Sequence, residues 1–196
     1  MKLGATRQAI HDALTWAWRQ KQEMGIVKWL TYLTKIESSF RTNDWQTADF
    51  LEIGWILAAI NSQPPHTIGW LRWCYGADEN QFDQQQIAVW LYMHNFLGLP
   101  KPDRYRALCR CAVDDSRLRM RRQGEKSLPI EAYAHEMGMD PSHWARDWHR
   151  KQRVLFEQIG AIDSDGVGRI SIVIRQLRGY GEFDGLKDAL KTCANP

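Results

Sequence analysis

Apolar positions along this chain fall mostly at helical intervals, three or four residues apart, with polar residues between them. Residues 6–37 read as one long helix or two broken near Gly25, with Leu14, Trp18, Ile26, Leu30 and Leu33 on its apolar side. A polar break at 38–44 precedes a strongly apolar helix at 47–61, which should be central to the core. Pro64 and Pro65 end that helix, because proline cannot continue the hydrogen-bond ladder. A short aromatic helix follows at 66–76 (Ile68, Trp70, Leu71, Trp73, Tyr75), then a fourth at 82–97 carrying Ile87, Trp90, Leu91 and Phe96. Residues 98–102 (GLPKP) break the pattern. Beyond them, 103–122 reads as a basic helix, 129–137 as a short one and 141–159 as a longer one. Gly166-Val-Gly168 reads as a turn, and the β-branched run 169–176 (RISIVIRQ) as half of a small β-hairpin or a short terminal helix.

The fold class is therefore all-α. It divides into a Trp-rich helical domain at 1–97, a basic helix plus helix-turn-helix at 98–160, and a tail at 161–196. Apolar residues make up 44% of the 196 positions, enough for a packed core in which the ten Trp should serve as large anchors. The net charge of +3 matters less than its distribution. Residues 43–96 hold six acids against one base, whereas 97–126 hold nine bases against four acids, which points to a polyanion partner for the second half. Cys74, Cys109, Cys111 and Cys193 follow neither zinc nor disulfide spacing and read as reduced thiols. No signal peptide and no apolar run approaching the ~18 residues of a membrane span is visible. The reading is a cytoplasmic protein of a bacterial host cell, with no membrane partner.

The most informative stretch is 130–156, IEAYAHEMGMDPSHWARDWHRKQRVLF. A helix-turn-helix needs a small residue where its second helix crosses the first, and a residue tolerant of positive φ four positions later. Ala134 and Gly138 hold those places, with Met137 and Met139 flanking the glycine. Trp144 and Trp148 stand one helical turn apart and should face inward, continued by Leu155 and Ile159. Asp140 followed by Pro141 is a helix start. With the tryptophans inward, the outer face presents Ser142, His143, Arg146, His149, Arg150 and Arg153. Arg146 or Arg150 is suited to bidentate contact with guanine, and Ser142 and His143 lie at the end that meets base edges first. Lys151 and Arg153 are better placed for phosphates. Arg104, Arg106, Arg110, Arg117, Arg119, Arg121 and Arg122 of the preceding basic helix extend the same expectation.

The run from Leu99 to Leu155 resembles region 4 of bacterial sigma factors: Leu99-Pro100, a basic helix, then a helix-turn-helix with a basic recognition helix. Two departures are the long charged spacer at 113–127 and Asp147, an acid where a base is common. The chain as a whole resembles late-gene antitermination proteins of the Q class from lambdoid phages, on Ile56–Tyr75 and His143-Trp-Ala-Arg-Asp-Trp148. That resemblance implies double-stranded DNA and host RNA polymerase as partners. It implies binding near a phage late promoter and read-through of terminators. The zinc-binding cysteine cluster of some members is absent here.

Chemistry of other kinds finds no support. His135-Glu136 begins like a zinc-protease motif, but residue 139 is Met, and the six His share no ligand spacing. There is no phosphate-binding glycine loop and no activated nucleophile. Asp114 and Asp115 read as salt-bridge partners within the basic helix rather than an acid–base pair. The expectation is a non-enzyme without cofactor or metal, monomeric or dimeric. Two alternatives stay open: a phage protein–protein interaction module whose helix-turn-helix is structural, and a DNA-packaging component of the small-terminase kind.

Overall fold

The computed structural model describes residues 4–36, 45–77, 80–98, 102–121 and 128–179. Its helices are α1 (Ala5–Ile36), α2 (Trp45–Asn61), α3 (Pro65–Tyr75), α4 (Gln81–His94), α5 (Pro102–Arg121), α6 (Ile130–Glu136), α7 (Pro141–Asp147) and α8 (His149–Gly179). No strand occurs among the described residues, so the fold is all-α as the periodicity predicts. α1 runs through Gly25 as a single helix. Its buried residues in the first turns are Ile10 and Ala13, whereas Trp18 is exposed.

The β-hairpin expected near the C-terminus is not formed. Residues 169–176 continue α8, and the glycine pair at 166–168 lies inside that helix rather than in a turn. The reason is visible in the burial. An alternating strand would put Ile170, Ile172 and Ile174 on one face, yet Ile170, Val173 and Ile174 are buried while Ile172 is exposed. That is helical spacing. It extends an inward stripe through Leu155, Ile159, Ile162, Ile170, Val173 and Ile174. Burial of that stripe outweighs the low helix propensity of β-branched residues and glycine.

The chain forms two compact units. Of the described residues, those within 65–74 and 80–165 form one and those within 4–64, 75–77 and 166–179 the other, so α8 contributes to both. In the second unit α1 packs on α2 around Ile10, Ala13, Ile56, Ala59 and Ile60. The Tyr75 hydroxyl accepts from Arg7 Nε at 2.9 Å, and its carbonyl meets His11 Nδ1 at 2.8 Å. Gln63 Nε2 donates to the Gly166 carbonyl at 3.2 Å.

The first unit is built on α4 against α5. Trp70, Leu71, Ile87, Leu91, Leu108, Ala112 and Val113 are fully or almost fully enclosed. α3 approaches α4 closely at Gly69, where a Cβ would stand 3.1 Å from the Asp83 carbonyl oxygen. Trp70 Nε1 donates to the buried carboxylate of Asp163 at 2.9 Å. Cys74, Cys109 and Cys111 are buried thiols outside any disulfide among the described residues. Burial pushes the Cys109 and Cys111 thiols up to about 12, so both are protonated at neutral pH.

Candidate nucleic-acid interface

α6 ends because Gly138 adopts φ +59°. Its N–H bonds back to the His135 carbonyl at 3.0 Å, and the Met139 N–H reaches the Ala134 carbonyl at 2.9 Å. These two bonds make a Schellman cap, which an L side chain at the left-handed position would strain. A Cβ on Gly138 would meet nothing within 4 Å, so the requirement is conformational rather than steric.

α7 then starts from Asp140, whose carboxylate accepts from the Ser142 N–H at 2.8 Å and from the Ser142 hydroxyl. Those Ser142 bonds hold the Asp140 carboxyl below the usual range. Trp144 is 1% exposed and Trp148 is 8% exposed, so both face inward as their spacing predicts. Trp144 stacks on Tyr133 of α6 with ring centroids 4.7 Å apart. Trp148 closes α7. Helical bonds nevertheless pass through it, from its own N–H to Trp144 and from Gln152 to its carbonyl, both 3.0 Å. The single helix expected at 141–159 is thus α7 and the start of α8 with an irregularity at Trp148.

Burying the tryptophans leaves Ser142, His143, Arg146, His149, Arg150 and Arg153 exposed, on contiguous turns. Three of the expected cations already have local contacts. Arg146 forms a two-pronged pair with Asp147 at 2.8 and 2.9 Å, both side chains well exposed. Arg153 pairs with Glu157 at 3.3 Å, also in solvent. Exposed pairs of this kind contribute little and exchange readily for a stronger anion. Lys151 lays its ammonium 4.3 Å from the centre of the Trp148 ring.

The basic helix behaves differently. Arg117 is buried, its guanidinium 4.2 Å above the Trp73 ring, and so is not part of a solvated cationic face. Arg106 is exposed and lies over Tyr92 at 5.1 Å, with Arg104 nearby and half-buried. At ~1.5 Å per residue these two sit about 20 Å along α5 from Arg119. Arg122 lies outside the described residues.

Beneath the exposed turns is a carboxylate that holds them together. Asp115 is completely buried, and its Oδ1 accepts from the Leu128 N–H at 2.9 Å. Its Oδ2 accepts from the Tyr133 hydroxyl at 2.8 Å, Arg119 Nη2 at 3.3 Å and Gln152 Nε2 at 3.4 Å. One side chain therefore ties α5 to the start of α6, to α6 itself and to α8. Burial, reinforced by Asp115, raises the Tyr133 hydroxyl and keeps it a donor. The sequence reading of Asp115 as a salt-bridge partner captures Arg119, four residues on, but not these long-range bonds. Among the described residues no cluster of side chains suits a metal ion, and no helix is long and apolar enough to cross a membrane.

The described residues thus combine helices alone with a capped turn, two inward tryptophans and an exposed cationic face. The family model described as phage antitermination protein Q matches residues 44–178, and the chain belongs to that family. It is a bacteriophage transcription-antitermination protein by that membership. Neither a curated protein nor a solved structure matches the chain.

Proposed function

We propose that this antitermination protein binds double-stranded DNA sequence-specifically through α7 and the first turns of α8, and acts on the host RNA polymerase. In this reading α6, the Gly138 turn and α7 are a helix-turn-helix of the sigma region 4 kind. The observation that carries it is the burial of Trp144 and Trp148, which leaves a continuous face of Ser142, His143, Arg146, His149, Arg150 and Arg153 in solvent. Arg150 and Arg146 are the candidates for guanine edges, and Lys151 and Arg153 for phosphates. Asp140 positions the helix start. Arg104 and Arg106 would serve a stretch of duplex about 20 Å distant along α5.

Footprinting on the phage's late-promoter region tests this. Protection of a defined site by the wild type, lost in an Arg146→Ala/Arg150→Ala double variant that remains folded, is the expected result. Equal protection by both proteins would refute it. A protein-interaction module is the competing reading, favoured by the exposed Phe82, Val89 and Met93 on α4. It predicts no salt-dependent retention on DNA at all.

A further inference from the structure

Arg119, His149, Gln152, Arg153, Phe156 and Glu157 line an open cleft of about 380 Å³ between the C-terminal part of α5 and the start of α8. Its cations differ in how they are held. Arg119 is fixed twice, by the bond to buried Asp115 and by its guanidinium resting 4.2 Å above the Phe156 ring. Its side chain is nonetheless 46% exposed, and guanidinium has five donors of which Asp115 takes one. Gln152, buried and donating to the same carboxylate, forms the floor. His149 and Arg153 come from the exposed face described above, one turn apart on α8. Among the described residues lining the cleft the one acid is Glu157, and it is paired with Arg153.

We infer that this cleft is a phosphate-binding notch, that its ligand is a backbone phosphodiester of the DNA, and that Arg119 is its preorganised contact. The exposed side chains of His149 and Arg153 alone would lose side-chain entropy on closing around an anion. Arg119 has already lost most of that freedom to Asp115 and Phe156, so its contribution to binding is correspondingly greater. A guanidinium is suited to phosphate oxygens by its planar fork. The volume exceeds that of one phosphate group, so the sugar on either side is accommodated, and the contact reads no base. Because Asp115 also holds Tyr133, the notch and the helix carrying Trp144's stacking partner share one anchor. The phosphate grip and the orientation of α7 are thereby set by the same carboxylate. The inference takes its ligand from the DNA-binding reading, but the anion chemistry of the notch stands apart from it.

The test has two arms on the full chain. In the first, DNA affinity is measured against salt for the wild type, Arg119→Gln and Glu157→Gln. Loss of one phosphate contact lowers the log–log salt slope by about 0.9, so the Arg119→Gln deficit should be about 3.5-fold larger at 50 mM than at 200 mM salt. It should be equal for specific and non-specific duplex. Glu157→Gln should bind both duplexes more tightly, because it releases Arg153 and removes an acid from the cleft. An unchanged slope in Arg119→Gln, with the wild type binding normally, overturns the notch while leaving the DNA-binding reading intact. Should Arg119→Gln fail to fold, the second arm decides on the wild type alone. In the second arm inorganic phosphate is titrated while the arginine Nε–H resonances are followed. Saturable shifts at Arg119 and Arg153 support the notch even if the wild type binds no DNA, and their absence there overturns it.

Discussion

Two arginine-rich stretches of one compact unit, α5 and the turns from Ser142 to Arg153, have similar composition, but two arginines near the end of α5 are held by neighbours in a way that those of the second stretch are not. In α5 Arg117 is buried over Trp73, and Arg119 is bound to a buried aspartate and an aromatic ring. In the second stretch Arg146, His149, Arg150 and Arg153 stand in solvent. The difference arises from what neighbouring helices offer. α5 lies against Trp73, Phe156 and the carboxylate that it supplies itself, whereas α7 turns its tryptophans inward and leaves its cations without a floor. A cation on a helix therefore indicates a polyanion only after the rings and carboxylates around it have been located.

The largest effect should come from removing the anchor beneath both stretches. Asp115→Ala takes the acceptor from the half-buried Leu128 N–H, leaves the buried Tyr133 hydroxyl only the Cys111 carbonyl at 3.3 Å, and deprives Arg119 of its counter-ion. A loss of about 3–5 kcal/mol is expected, read as a lower urea midpoint. A loss under about 1 kcal/mol would mean that the helices hold one another without it.

Arg117→Ala and Arg150→Ala then separate the two stretches directly. The first should cost about 2 kcal/mol of stability, since it removes a desolvated cation from the Trp73 face, while DNA affinity is retained once folding is complete. The second should change stability by less than about 0.5 kcal/mol and weaken specific DNA binding by about 1–3 kcal/mol. Chemical denaturation and a binding titration on the same two samples decide. If the two variants exchanged roles, the contrast drawn here would be inverted.

The sequence carried much of this, and unevenly. Helix positions, the Gly138 turn, the Asp140 start and the inward Trp144 and Trp148 all follow from local rules, in which the deciding residues lie within one turn of each other. What it did not carry was non-local. Nothing in the spacing of Arg117 announces Trp73, forty-four positions earlier, and nothing beside Asp115 announces Tyr133 and Gln152. The choice at 169–176 between half a hairpin and a short helix stayed open for the same reason. β-branched composition was weighed as a local preference, whereas burial of Ile170, Val173 and Ile174 on one face decided for helix.

The Gly138 turn sets the angle at which the cationic face is presented, so its effect is smaller on stability than on geometry. Gly138→Ala should cost about 1–2 kcal/mol, because alanine is strained at φ +59° although it has room. Gly138→Asn, which tolerates that conformation, should recover part of the loss. Equal losses for both variants in thermal unfolding would show that the backbone conformation is not what the glycine supplies.

The smallest effect concerns the start of α7 and has a sign fixed by the cap. Hydrogen bonds from Ser142 favour the charged form of Asp140 and lower its folded-state value below the ordinary 3.8. A depressed carboxyl stabilises the fold fully at pH values above its unfolded value, and that contribution is lost as pH falls through the folded one. The cap should therefore be intact at neutral pH and weaken only below about pH 4. Hydrogen exchange at the Ser142 and His143 amides should accelerate there relative to the amides of α8, which do not depend on this carboxylate. Asp140→Asn keeps a capping oxygen without the titrating charge and should flatten that acid dependence while leaving neutral-pH exchange nearly unchanged. Persistent acid dependence in Asp140→Asn would place the titrating group elsewhere and remove Asp140 as the residue that starts the exposed cationic turns.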